Sequence, residues 1–238
     1  MWVISLFAIF ESLLFPHNIF SESQFNPASL HQQNFELIIG TGSNFGLSEL
    51  RTYTIHSAIK LYRINATSFG NDIYRENMFN AGLSFPVVEK LAAGFSIAMY
   101  NYWVKDMCNR FTYSLKIGAL YKNSPLEIGG WINNINIPKF SDIDYLPPTY
   151  SLRINYLPGN ILSFAFAIRG IETDLPFYNF GLSYSPYKMI TLGAGVNTDP
   201  MYLEYMLKLN LGNFILDYTG KNHRYLGLSH YFSVGFNP

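Results

Sequence analysis

A strict alternation of apolar residues with small or polar ones constrains the fold of this chain more than any other feature. The segment Tyr178 to Asn197 reads YNFGLSYSPYKMITLGAGVN, and the alternation runs on both sides of its Ser-Pro-Tyr-Lys turn. Successive side chains of a β-strand point to opposite faces, so the pattern predicts a hairpin with one apolar face. The segment Phe79 to Ala98 shares Asn-x-Gly-Leu-Ser followed by an aromatic residue, which indicates an internal repeat.

The same alternation recurs along the chain and predicts about fourteen strands. Phe111 to Tyr121 and Tyr150 to Tyr156 show it clearly, and the last strand ends near Phe236. Strands of roughly ten residues match the span of a tilted membrane-crossing strand. Tight turns with Pro, Gly or Asn alternate with longer polar connections, as in outer-membrane barrels. The predicted fold is all-β: a single closed antiparallel up-and-down transmembrane β-barrel over residues 35–238.

The composition of the chain supports a barrel in a membrane. Charged residues make up 13% of the sequence, whereas soluble proteins contain roughly 25%. The second face of the predicted strands carries Gly, Ser, Ala and Asn, which suits a closed lumen better than a solvated surface. A soluble secreted β-sandwich, used for adhesion or as a structural module, is the alternative; two stacked sheets would identify it.

The N-terminal 34 residues are expected to lie outside the barrel wall. The apolar stretch WVISLFAIFESLLF before Pro16 predicts a signal peptide over residues 1–22. A retained first strand or an apolar plug are the alternatives for this stretch. Residues 23–34 are predicted to form an N-terminal periplasmic or plug segment.

The sequence Asn26-Pro27-Ala28-Ser29-Leu30 stands just before the first predicted strand and precedes hairpins containing Gly-Leu-x-Tyr-x-Pro. This combination resembles the PorV/PorQ-like outer-membrane proteins, within the broader group of fourteen-stranded barrels that includes the FadL fatty-acid transporters. The resemblance implies an outer membrane of a Gram-negative-type bacterium. It also implies that Asn26, Pro27 and Ala28 form a motif at or within the periplasmic mouth. The alternative is that Asn-Pro only begins a turn.

The resemblance further implies a nonenzymatic role in protein secretion or surface attachment. Its expected partners are outer-membrane lipid and secretion-system proteins. The alternative function is FadL-like transport of hydrophobic small molecules across the outer membrane. An apolar lumen pocket with a lateral gap in the wall would favour transport, whereas a polar, plugged lumen with an exposed rim would favour secretion.

The residues themselves show no catalytic or metal-binding pattern. The five histidines are scattered without metal-ligand spacing, and no Gly-x-Ser-x-Gly or phosphate-loop motif occurs. Lys plus Arg and Asp plus Glu both number 16, so no basic excess points to nucleic acid. The single cysteine, Cys108, has no partner for an internal disulfide. We therefore expect no enzyme activity, no metal and no cofactor.

Two further groups of residues follow from the alternation. Charged residues of both signs are predicted to face the lumen, where they either pair across it or line a polar path. Aromatic residues near strand ends are predicted to form interfacial girdles. The charged residues are Lys116, Glu127, Arg153, Arg169, Glu204, Lys208 and Asp217, and the aromatic ones are Tyr100, Tyr102, Trp103, Tyr121, Trp131, Tyr156, Tyr184 and Tyr187.

Overall fold

The structure of the chain is a computed structural model that describes residues 26–32, 35–47, 49–142, 144–172 and 174–238. The predicted signal peptide, residues 1–22, lies outside the described residues, as do residues 23–25 and 33–34 of the predicted N-terminal segment.

Fourteen antiparallel strands form one sheet in which β1 pairs with β14, so the sheet closes into a barrel. The fold prediction is confirmed and the two-sheet sandwich alternative is wrong. No helix in the described part of the chain is long and apolar enough to cross a membrane. A 3-10 helix at Pro27–Gln32 precedes the strands, which are β1 Phe35–Ser43, β2 Arg51–Ile59, β3 Tyr62–Gly70, β4 Tyr74–Val88, β5 Leu91–Val104, β6 Cys108–Asn123, β7 Leu126–Asn133, β8 Thr149–Tyr156, β9 Leu162–Ile171, β10 Phe177–Tyr187, β11 Ile190–Thr198, β12 Met201–Leu211, β13 Phe214–His223 and β14 Gly227–Phe236.

The apolar face of each strand points away from the barrel interior. In β10, Phe180 and Leu182 are 49% and 43% exposed, whereas the neighbouring Asn179 is buried. Neighbouring strands continue this outward surface, since Phe166 of β9 packs against Phe180 with ring centroids 5.0 Å apart. A belt of exposed apolar side chains around a polar interior is the arrangement that lipid requires.

Three of the predicted girdle aromatics face the barrel interior instead: Tyr100, Trp131 and the partly buried Tyr102, which packs against the same buried cluster as Tyr100. Tyr100 is 2% exposed and Trp131 is 4% exposed. Tyr100 lies an even number of residues from the inward-facing Ser96 and Ala98, so the strand pleat turns it into the lumen. Proximity to a strand end was therefore a weaker guide than the position of a residue in the alternation.

The two rims of the barrel differ in the length of their connections. We call the rim that carries Phe35 and Phe236 the terminal rim; its turns are 60–61, 89–90, 124–125, 157–161, 188–189 and 212–213. The opposite edge, here the loop rim, carries the connections 44–50, 71–73, 105–107, 134–148, 172–176, 199–200 and 224–226. The longest connection, 134–148, belongs to the loop rim, as the outer-membrane pattern predicts.

Candidate functional site

The described residues of the N-terminal segment lie inside the barrel, against the inner face of β4, β5 and β6. We call its described residues, 26–32, the plug. Ala28 is completely buried and forms a small apolar cluster with Ala92 and Leu120 on the barrel wall. The predicted mouth motif is therefore placed within the lumen, near the terminal rim.

The side chain of Asn26 joins the plug to two strands. Its Nδ2 donates hydrogen bonds to the carbonyl of Ala119 at 2.9 Å and to that of Gly130 at 3.3 Å. Its Oδ1 accepts the backbone N–H of Ala28 at 2.9 Å, which closes the local turn that an Asn-Pro sequence favours. Asn26 thus begins a turn and also holds that turn to the wall between β6 and β7.

Arg63 and Ser84 hold the rest of the plug. The guanidinium of Arg63 donates to the carbonyl of Asn26 at 3.3 Å and to Oγ of Ser29 at 2.8 Å. The hydroxyl of Ser84 donates to the carbonyl of Ala28 at 3.1 Å. Hydrogen bonds from a charged group are the stronger kind, so Arg63 is a principal anchor that the sequence motif did not reveal.

Two glycines make room for the plug. Gly94 of β5 and Gly118 of β6 are direct partners in the sheet. A Cβ at Gly94 would lie 2.5 Å from the carbonyl oxygen of Pro27, and a Cβ at Gly118 would lie 2.9 Å from its Cδ. Both distances are shorter than real Cβ contacts. The sequence signal for this seat was present, because both glycines fall on the predicted inward face.

The connection from β7 to β8 folds into the opposite end of the lumen. We call this connection, residues 134–148, the cap. Phe140 and Leu146 are buried in a cluster with Phe69, Ala98 and Tyr100 on the inner wall. The barrel interior is therefore covered by the plug near the terminal rim and by the cap near the loop rim.

Polar contacts fix the cap in its inward position. Asn134 donates from Nδ2 to the carbonyl of Pro147 at 2.8 Å and accepts from the Ser114 hydroxyl at 2.7 Å. The phenol of Tyr145 donates to Glu172 at 3.3 Å. The charge of that carboxylate raises the pKa of Tyr145. These bonds connect the cap to β6 and to the neighbouring connection at the loop rim.

The cap also covers a strand edge. Pairing between β6 and β7 extends only from Lys116 to Asn123 of β6, so residues 108–115 continue beyond β7. Asn136 of the cap accepts the N–H of Leu115 at 2.9 Å and donates to the carbonyl of Tyr113 at 2.9 Å. A side chain of the cap thereby replaces part of the missing strand partner.

A cavity of about 160 Å³ lies on the wall formed by β1–β4 and β12–β14. Its lining mixes the apolar residues Ile38 and Ile215 with hydroxyl, amide and charged groups. Asn65 and Met78 line both this cavity and a second space of about 20 Å³ that Pro27 of the plug also lines. The cavity therefore borders the plug across these two side chains.

The predicted inward charges fall into separate groups along the wall. Lys208 and Asp217 are register partners on β12 and β13 and both line the 160 Å³ cavity. Arg169 and Glu204 are buried, at 2% and 4% exposure. Lys116 lies over the Trp131 ring at 4.8 Å and lines the space beside the plug.

Glu127 and Arg153 meet through Asn155 on the other side of the plug. Asn155 donates to Glu127 at 3.0 Å and accepts from Nε of Arg153 at 2.6 Å. Lys122 forms a salt bridge with Glu127 at 3.1 Å. Both Glu127 and Arg153 line a small space that also contacts Asn26. These contacts join β6, β7 and β8 on the part of the wall that lies beside Asn26.

The fold and its interior define a class: a closed fourteen-stranded antiparallel barrel with an internal plug and a folded-in loop. Within the described residues, no cluster of three His, Cys, Asp or Glu side chains is placed to hold a metal ion. Protein-family models give no match to this chain. The curated proteins give none either.

Solved structures of outer-membrane barrels share the fold. The CymD monoaromatic hydrocarbon channel has a TM-score of 0.68 at 11% identity, covering 92% of this chain and 92% of its own. The Pseudomonas putida toluene transporter TodX has a TM-score of 0.61 at 9% identity, covering 90% and 91%. A Pseudomonas aeruginosa FadL homologue has a TM-score of 0.55 at 10% identity, covering 94% and 95%. These likenesses show that the chain shares its barrel fold with these structures; the PorV/PorQ resemblance rests on the sequence motifs.

Proposed function

We propose that this chain is a nonenzymatic outer-membrane barrel that passes small molecules, with the plug as its internal gate. The observation that carries the proposal is the close packing of the plug against the wall. Pro27 fits there because Gly94 and Gly118 have no side chain, and any larger residue at either position would overlap the plug. The FadL-like fold supports the same function, since fold neighbours include channels for hydrocarbons. Outer-membrane lipid surrounds the exposed apolar belt.

The path runs through the 160 Å³ cavity and past the plug. Asn65 and Met78 separate the cavity from the space beside Pro27, so withdrawal of the plug would join the two. The hydrogen bonds from Arg63 and Ser84 hold the plug in the closed state. Each such bond contributes roughly 1 kcal/mol, or about 1.5–3 kcal/mol where one partner is charged. A gate held by a few bonds of this size can open reversibly.

Planar-bilayer conductance of the purified full-length chain tests the gate. Gly94→Ala places a methyl group where the plug backbone lies, and Gly118→Ala places one where the Asn26 side chain and the Pro27 ring lie, so both should conduct more than the wild type. Gly159→Ala is the matched control, because a Cβ there meets nothing within 4 Å, and it should conduct like the wild type. Unchanged conductance in both plug-seat variants, with the barrel folded, would contradict a gating role.

Cell fractionation should recover the chain in outer membranes, and recovery in the soluble periplasm would contradict the location.

A role in protein secretion or surface attachment is the second candidate. A lumen that is plugged, capped and partly polar favours this role, because a closed barrel offers no pore and its rims are then the surfaces available to protein partners. The cap and the β6 residues 108–115 would then form the partner surface at the loop rim. Deletion of the gene should in that case leave secreted or surface-attached proteins in the periplasm, while plug-seat variants remain closed. Normal secretion in the deletion strain would exclude this candidate.

A further inference from the structure

The 160 Å³ cavity is sized for one small molecule. An apolar protein cavity of about 150 Å³ holds a single benzene ring. The space is therefore enough for one six-membered ring with small substituents.

Hydroxyl groups dominate the polar part of the cavity lining. Thr52, Thr54 and Thr219 all line it. Thr52 is 2% exposed, and its Oγ1 has no hydrogen-bond partner among the described residues. A hydrocarbon in the cavity would displace water from these groups without replacing its hydrogen bonds, which lowers affinity. A ligand that carries its own donors and acceptors avoids this loss.

Apolar side chains provide contact for the body of such a ligand. Ile38 of β1, Met78 of β4 and Ile215 of β13 reach the cavity from three different strands. A thioether and branched aliphatic side chains accommodate a flat or puckered ring equally well. The lining therefore fits a molecule with a compact apolar body and polar substituents.

The charges on the lining disfavour a ligand with a net charge. Lys208 and Asp217 are partners in the sheet and both line the cavity, so groups of opposite charge lie on neighbouring strands there. Glu36 and His56 face the same cavity, with their side chains 3.4 Å apart. An anion would meet two carboxylates and a cation would meet the Lys208 ammonium. Uncharged hydroxyl groups can instead donate to Asp217 and accept from Lys208.

We propose that the cavity binds a compact, uncharged, hydroxylated molecule of about the size of one six-membered ring. This binding site deepens the passage function proposed above, because it names the chemical class that the route accepts. Polar substituents are recognised by Thr54 and Asp217, and the ring lies against Ile38 and Ile215.

Calorimetric titration of the full chain, folded in detergent micelles, tests the proposal with two probes. Resorcinol and m-xylene have the same ring and the same substitution pattern, and differ only in hydroxyl against methyl groups. After subtraction of the heat measured with empty micelles, resorcinol should bind at least about tenfold more tightly than m-xylene. Equal affinity, tighter binding of m-xylene, or no binding of resorcinol would overturn the proposal.

Two conservative variants locate the bound molecule. Thr54→Val removes a hydroxyl with little change in shape and should weaken resorcinol binding about fivefold without weakening m-xylene. Asp217→Asn should weaken resorcinol about tenfold, because a charged acceptor is lost. Thr112→Val is the control, since Thr112 lies on the inner face of β6 and away from the cavity. Heat-modifiable gel migration shows that each variant is folded. Resorcinol affinity that is unchanged in both cavity variants would overturn the proposal.

The conductance measurements separate this inference from the passage function. Absence of resorcinol binding, together with increased conductance of Gly94→Ala and Gly118→Ala, would refute the proposed ligand class and still support the plug as a gate. Resorcinol binding in a barrel that stays closed in both plug-seat variants would support the site and refute the passage function.

Discussion

An arginine introduced at two adjacent positions of β2 should destabilise the barrel by very different amounts. Ile55 and Thr54 both lie at the middle of β2, Arg51–Ile59. Both residues border the 160 Å³ cavity, but the alternation turns the Ile55 side chain outward, where it is 51% exposed, and the Thr54 side chain inward. The two variants therefore place the same charge at nearly the same depth, one in lipid and one in the lumen.

The expected cost follows from these environments. Arginine on the lipid face of a barrel near the midplane destabilises it by about 2–4 kcal/mol. Full burial of an isoleucine side chain contributes about 1.5–3 kcal/mol, and roughly half of Ile55 contacts lipid, so about 1 kcal/mol is also lost. Ile55→Arg should therefore reduce the free energy of unfolding by about 3–5 kcal/mol. Thr54→Arg should cost roughly 1 kcal/mol or less, because the cavity offers space and Asp217 lies on its wall.

Urea titration of the chain in phosphatidylcholine vesicles measures both free energies through tryptophan fluorescence. Trp131 lies in the lumen and reports on closure of the barrel. Equal losses for the two variants would refute the assignment of the two faces, and so would a larger loss for Thr54→Arg.

Three further predictions concern the plug, the cap and the orientation of the barrel. Asn26→Ala removes three hydrogen bonds of the plug and should speed hydrogen exchange of the Ala28 amide; an unchanged exchange rate would contradict the anchoring role. Phe140→Ala removes a buried ring that packs edge-on against Tyr102 at 4.9 Å and should loosen the cap by about 3–5 kcal/mol. Proteolysis of residues 134–148 in the folded barrel should accelerate, and an unaltered cleavage rate would show that Phe140 does not hold the cap. Cys108, the single cysteine, lies at the loop rim, so a membrane-impermeant maleimide should label it on intact cells; labelling only after permeabilisation would reverse the predicted orientation.

The plug shows which structural features a short sequence motif can predict and which it cannot. Asn26-Pro27-Ala28 predicted a segment at or within the mouth of a barrel, and the structure places it inside the lumen. The partners of Asn26, the carbonyls of Ala119 and Gly130, are about a hundred residues away in sequence. A motif specifies a local turn, but it does not identify the distant backbone groups that receive its hydrogen bonds.

The polarity of the interior bears on the two functions that were expected from the sequence. A polar, plugged lumen was expected to favour secretion, and an apolar pocket with a gap was expected to favour transport. The barrel has a plug, and its cavity combines apolar with polar groups. The plug meets the criterion stated for secretion, and the partly apolar cavity meets part of the criterion stated for transport.

The strands, their lipid and lumen faces, and a strand number of about fourteen follow from the residue pattern, because side chains alternate between faces in any β-strand, whatever its neighbours. What fills the barrel depends on how distant strands come together. Thr54 and Asp217 share a cavity because β1 pairs with β14 and closes the sheet, and Gly94 and Gly118 form one seat because β5 and β6 align in register. Such contacts depend on barrel closure and on strand register, which relate residues far apart in the chain and leave no periodic trace in it.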